Sequence, residues 1–99
     1  MTLEVLHVPD CPNLAPMLER LAEVTDLPVV TREIRSEDDA VEVGMAGSPT
    51  LLIDGVDPFS FAASAGLACR LYRDEAGRIV PAPSAEQLRV ALAAAQRSA

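Results

Sequence analysis

Two cysteines carry the side chains in this sequence whose chemistry stands out. Cys11 lies in VPDCPNLAPM, residues 8–17, and Cys69 opens CRLYR, residues 69–73. A thiolate can attack a disulfide, pass through a sulfenic acid, or bind a soft metal ion. A buried cysteine does none of these and packs as a small apolar group. At this level both readings stand for Cys11, and Cys69 is either a second thiol or an inert core residue. The single histidine, His7, precedes Cys11 by four residues; along an extended strand that is about 13 Å, so it reads as a packed core residue and not as a base. Two cysteines are too few for a disulfide scaffold, and one histidine does not complete a four-ligand zinc knuckle, so neither a resident metal nor a cofactor is expected.

Other chemistries are excluded by what the chain lacks. It has no lysine, hence no Schiff-base nucleophile and no phosphate-loop lysine, and no G-x-G-x-x-G run. The net charge of −7 has the wrong sign for a phosphate backbone, and the eight basic residues are scattered arginines, so nucleic acid is not an expected partner. The longest apolar runs fall far short of a membrane span, and no basic region followed by an apolar stretch opens the chain. A cytoplasmic protein without membrane contact is the expectation. Its 99 residues, 49% of them apolar, suffice for a single domain over residues 1–99.

The elements that must position the thiols follow from periodicity. TLEVLHV, residues 2–8, is leucine- and valine-rich and stops at Pro9, which predicts a strand buried on both faces. Leu14, Met17, Leu18, Leu21 and Val24 recur at helical spacing, with Asn13 placed to cap the helix and Pro16 in its first turn. PVVTREIR, residues 28–35, predicts a second strand nearer a sheet edge. Ser36 and Asp39 resemble a capping box for a short helix stopped by Gly44. TLLID predicts a third strand closed by an Asp54-Gly55 turn, CRLYR a fourth followed by a DEAGR turn, and Ser84 with Gln87 a capping box for a terminal helix. The order is βαβαββα.

GMAGSPTLLIDG, residues 44–55, resembles the thioredoxin segment in which a glycine, two residues, a second glycine and a proline-threonine pair lead into a core strand. A cysteine and proline between the first strand and first helix add to that resemblance, which covers nearly the whole chain. It implies a minimal thioredoxin-like α/β fold: a four-stranded mixed sheet, order 2-1-3-4, flanked by helices. It further implies a cis Ser48–Pro49 bond facing Cys11, with Pro12, Ser48, Pro49 and Thr50 shaping a substrate groove and the Ser48 backbone free to pair with an extended substrate. The departures are equally specific. The positions matching the family's Cys-x-x-Cys motif are Cys11, Pro12, Asn13 and Leu14, so the resolving thiol is absent, and Asp10 replaces the tryptophan often found before the first cysteine. The Asp10 carboxylate disfavours a neighbouring thiolate, whereas a helix N-terminus favours one.

Cys69, opening a fourth strand that starts at the far end and returns antiparallel, is expected some three or four residues, about 10–13 Å, from the reactive end, too far for a direct bridge. The connection VDPFSFAASAGLA, residues 56–68, is longer than a hairpin needs; its Phe59 and Phe61 suit a loop folded over the sheet edge or a lid or homodimer contact. Three functions fit. The leading one is a monothiol oxidoreductase whose Cys11 exchanges with a small thiol or a protein thiol or disulfide. The second is capture of mercury or copper(I) by Cys11, with or without Cys69; the tail from CRLYR to PSAEQL has a weak likeness to organomercurial-lyase-like proteins. The third is a redox-silent interaction module in which both cysteines only pack.

Overall fold

Leu3 and Val5 fall on one face of β1 (Leu3–His7) and Leu6 on the other, so that each face of the strand feeds a separate core. In the computed structural model, which describes residues 1–59 and 66–98 (66–69 and 98 at the backbone only), β1 is the central strand. It is followed by α1 (Leu14–Val24), β2 (Val29–Glu33), α2 (Glu37–Val43), β3 (Ala46–Ser48), β4 (Thr50–Ile53), β5 (Gly66–Cys69), β6 (Tyr72–Arg73), β7 (Ile79–Val80) and α3 (Ala85–Ser98). β1 pairs in parallel with β2, across the α1 crossover, and antiparallel with β4, giving a mixed sheet of order β2-β1-β4. Leu3 and Val5 on one face pack with Leu51 and Ile53 of β4, Met17 and Leu21 of α1, and Leu88 and Leu92 of α3. Leu6 and Leu52 on the other face pack with Ile34, Ala40 of α2 and Met45. Each fully buried side chain of this size contributes about 1.5–3 kcal/mol, so the two cores suffice to hold the sheet between its helices. β2 is largely exposed, as an edge strand should be, and β4 is buried throughout.

Local signals were realised where backbone geometry allowed them. Ser84 Oγ accepts from the Gln87 amide at 3.1 Å while Gln87 Oε1 accepts from the Ser84 amide at 2.9 Å, a reciprocal capping box at the start of α3. Ser36 Oγ accepts from the Asp39 amide at 3.1 Å, and Gly44 closes α2 in the left-handed region at φ 73°. Asp54 and Gly55 both have positive φ, 51° and 81°, between reciprocal backbone bonds of Ile53 and Val56, the geometry of a tight two-residue turn. Asn13, by contrast, makes no side-chain cap: its backbone stands at φ −96°, ψ 0°, outside the extended region from which a cap side chain folds back onto the helix. Pro16 falls in the first turn of α1, where no intrahelical N–H bond is forfeited.

The expected fourth strand is corrected. Among the described residues no four-stranded sheet forms; the sheet has three strands, with separate two-stranded ladders β3-β5 and β6-β7. CRLYR does not run as one element. Its first residue ends β5, which lies parallel to β3, and its Tyr72 and Arg73 belong to β6, which pairs antiparallel with β7 across the DEAGR turn. The break falls at Arg70 and Leu71; the Arg70 guanidinium is buried and pairs with Asp57. Phe59 packs on the core with its ring edge-to-face against Tyr72, centroids 5.8 Å apart; Phe61 lies outside the described residues. Among the described residues no helix is long and apolar enough to cross a membrane.

Candidate functional site

β1 ends at His7, and the chain reverses through Val8, Pro9 and Asp10 before α1 begins. Asp10 takes the left-handed conformation, φ 56°, which a short polar side chain tolerates better than most. This turn sets Cys11 just ahead of α1, its carbonyl accepting from the Leu14 amide at 3.3 Å. The Cys11 side chain is a free thiol, half-buried, and Pro12 beside it is exposed. His7 is half-buried and its Nδ1 donates to the Val8 carbonyl at 3.0 Å, which occupies that nitrogen locally.

Ser48 meets the sulfur from the other side. Its hydroxyl donates to Cys11 Sγ at 3.0 Å and accepts from the Val8 amide at 3.1 Å. Because an amide can only donate, Val8 occupies a lone pair of Ser48 Oγ and leaves the hydroxyl hydrogen directed at sulfur. Such a bond is stronger to a thiolate than to a thiol. The Ser48–Pro49 peptide bond is cis, and Ser48, Pro49 and Thr50 are all fully buried.

Behind these three residues stands a polar cluster that periodicity did not reveal. The Arg70 amide donates to the Ser48 carbonyl at 2.9 Å, and the Tyr72 hydroxyl donates to the Pro49 carbonyl at 2.6 Å. Thr50 Oγ1 donates to the Gly47 carbonyl at 2.6 Å and accepts from the Arg70 guanidinium at 3.4 Å. That guanidinium also pairs with Asp57 at 2.5 Å, donates to the Phe59 carbonyl at 2.5 Å, and lies 4.8 Å from the centre of the Tyr72 ring. Burial pushes the Tyr72 phenol well above its usual value; Arg70 pulls the other way, while the charges of Asp57 and Cys11 add to the rise. The signal for Arg70 is a lone charge inside the apolar run GLACRLY, a position where a charge needs a buried partner.

Of the residues singled out from sequence, Cys11 and Ser48 are in contact, Pro49 and Thr50 continue inward from them, and Pro12 faces outward. The expectation of a free Ser48 backbone is corrected: β5 lies along β3, and the amide that follows it, Arg70, takes the Ser48 carbonyl. Cys69 is also placed differently from expectation. It ends a parallel strand, in register with Ser48, where an antiparallel strand starting at the far end was expected. Among the described residues no group of three or more histidine, cysteine or carboxylate side chains could hold a metal ion. A groove of about 780 Å³ lies elsewhere, between the Asp54–Phe59 segment and α3, and includes neither Cys11 nor Ser48. No protein-family model, no curated protein and no solved structure gave a match to the chain.

Proposed function

We propose that the protein is a thioredoxin-like monothiol exchanger in which Cys11 forms a mixed disulfide with a thiol of low molecular mass. The observation that carries this reading is the half-buried Cys11 sulfur accepting a hydrogen bond from a hydroxyl that the Val8 amide holds in place. The β2-β1-β4 order, and the position of Cys11 between β1 and α1 opposite Ser48–Pro49, support the thioredoxin-like part of the reading. The Cys11 thiolate attacks one sulfur of a disulfide; a new S–S bond forms, the old one breaks, and one thiolate departs. A small partner is favoured over an extended polypeptide because the Ser48 carbonyl, which would pair with a strand-like substrate, is already bound by Arg70.

One observation favours the silent module instead: Ser48, Pro49 and Thr50 are sealed and internally satisfied, as in a purely structural core. Alkylation kinetics separate the two. In a Cys69→Ser background under native conditions, the exchanger reading expects Cys11 to react with iodoacetamide at neutral pH at least as fast as free cysteine. Labelling that becomes appreciable only in denaturant would leave the module as the surviving reading.

A further inference from the structure

We infer that Cys69 is the second thiol of this site, displacing the small thiol from Cys11 and closing a Cys11–Cys69 bridge. The inference rests on the exchange reading of Cys11. Its ground is a juxtaposition around Ser48. The hydroxyl of that residue is 3.0 Å from Cys11 Sγ, and across the β3-β5 ladder the same residue is the register partner of Cys69. Neighbouring strands lie about 4.8 Å apart, so the Cys69 backbone stands one strand spacing from the residue that touches the Cys11 sulfur. A disulfide needs its Cα atoms within about 7 Å, and the observed register sets Cys69 beside the residue that touches Cys11, where the arrangement expected from sequence set it three or four residues away. The register is pinned at this point, because the Arg70 amide, next in the chain, is bonded to the Ser48 carbonyl at 2.9 Å. It also shifts by one residue between Ala46 and Ser48, a bulge of the kind that re-aims side chains beside active sites.

The chemistry is balanced with a small disulfide as the oxidant. Cys11 attacks that disulfide, forming the mixed disulfide and releasing one thiolate. The Cys69 thiol then gives its proton to solvent, and its thiolate attacks the Cys11 sulfur. The protein disulfide forms as the mixed one breaks and the second thiolate leaves. Two protein thiols have lost two electrons, and the small disulfide has become two thiols. Two equivalents of a small thiol reverse the cycle.

Glutathione disulfide is the probe, with acid quenching, intact mass measurement and peptide mapping of the wild type, Cys69→Ser, Cys69→Ala and Cys11→Ser. Two thiols on either side of Ser48, one in the turn before α1 and one at the end of β5, meet at about millimolar effective concentration, so at about 0.01 mM free glutathione the bridge exceeds the adduct by about 100-fold in the wild type. The wild type should lose two hydrogens, keep no glutathione, and give a peptide joining Cys11 to Cys69. Cys69→Ser and Cys69→Ala should each retain one glutathionyl group on Cys11. A wild type that keeps the Cys11 adduct as fully as the Cys69 variants, or that carries two adducts, overturns the role of Cys69 and leaves exchange at Cys11 standing. Both thiols unmodified in the wild type, with Cys11 unmodified in the Cys69 variants, overturns the exchange reading and the bridge with it. The wild type reports on the bridge by itself, so the result does not depend on any variant folding.

Discussion

Replacing Asp57 by alanine should be among the most damaging single changes outside the apolar core. The Asp57 and Arg70 side chains are 9% and 8% exposed, so solvent screens their interaction little. Removing one partner of such a pair costs about 3–5 kcal/mol, because a buried charge is left uncompensated. Arg70 would keep the Phe59 carbonyl, Thr50 Oγ1 and the Tyr72 ring, which places the loss at the lower end, about 3 kcal/mol. Asp57 Oδ1 also accepts from the Phe59 amide at 2.8 Å, and losing that bond adds about 1 kcal/mol. The total of about 4 kcal/mol is a large share of the roughly 5–15 kcal/mol available to a chain of this size. It corresponds to a fall of about 16–32 °C in Tm. Urea unfolding followed by far-ultraviolet circular dichroism measures it, together with the double variant Asp57→Leu, Arg70→Met. Substituting both charges with apolar side chains should recover most of the loss, to within about 1.5 kcal/mol of wild type. The double variant should also leave Cys11 alkylation unchanged, since Arg70 reaches Ser48 through its backbone amide. A loss below about 1 kcal/mol for Asp57→Ala, or a double variant no more stable than the single one, would refute the treatment of this pair as a desolvated, mutually compensating unit.

Ser48→Ala removes the hydroxyl that donates to Cys11; a hydrogen bond to a charged group is worth about 1.5–3 kcal/mol, so alkylation at constant pH should slow by about ten-fold or more, while Ser48→Thr keeps most of the rate. Tyr72 is the only tyrosine and the chain has no tryptophan, so phenolate absorbance reports on it alone. Its proton is held more tightly in the folded state than in the unfolded one, so stability is fully present below the unfolded value, about 10, and falls as pH rises above it. The phenolate should therefore appear together with unfolding, and a free titration near pH 10 in the folded protein would contradict the buried Tyr72–Pro49 contact. Ser84→Ala removes the hydroxyl of the α3 capping box and should lower stability in urea by about 1 kcal/mol. Gly55→Ala meets no atom within 4 Å but holds φ at 81°, so a penalty of about 1–2 kcal/mol should come from the backbone alone, and a neutral effect would mean that the turn relaxes.

What could be read in advance divides by range. The Ser84/Gln87 box, the Asp54-Gly55 turn and the apolar stripe of α1 are decided within a few residues, and each formed as its local pattern implied. Asn13 has the right identity for a cap, but the Val8–Asp10 reversal delivers its backbone outside cap geometry, which residue type does not encode. β3 is three residues of Ala, Gly and Ser, too short and too weakly alternating to register as a strand. The expected fourth strand is interrupted at Arg70 and Leu71, and the partner of the buried Arg70 charge is Asp57, thirteen positions earlier in the chain, a pairing no local window contains. The contact between Cys11 and Ser48 followed from a resemblance and not from spacing.

The placement of Cys69 turned on something more basic. An alternating pattern has a period of two residues and reads the same in either direction, so it marks a strand without saying which way it runs or which neighbour it takes. Reversing one strand moves its first residue from one end of the sheet to the other. Cys69 was expected to open a strand beside TLLID; it instead ends β5, which runs parallel to β3, and so stands beside the serine that touches Cys11. The direction is set by non-local events, the parallel ladder of β5 on β3 and the Arg70 amide bond to Ser48. A test of the site should therefore perturb that ladder as well as the sulfurs. In an Asp57→Leu background, Arg70→Pro removes the amide that holds the Ser48 carbonyl whereas Arg70→Met keeps it; if the register brings the two thiols together, bridge formation should fall in the proline variant relative to the methionine one while glutathionylation of Cys11 persists in both.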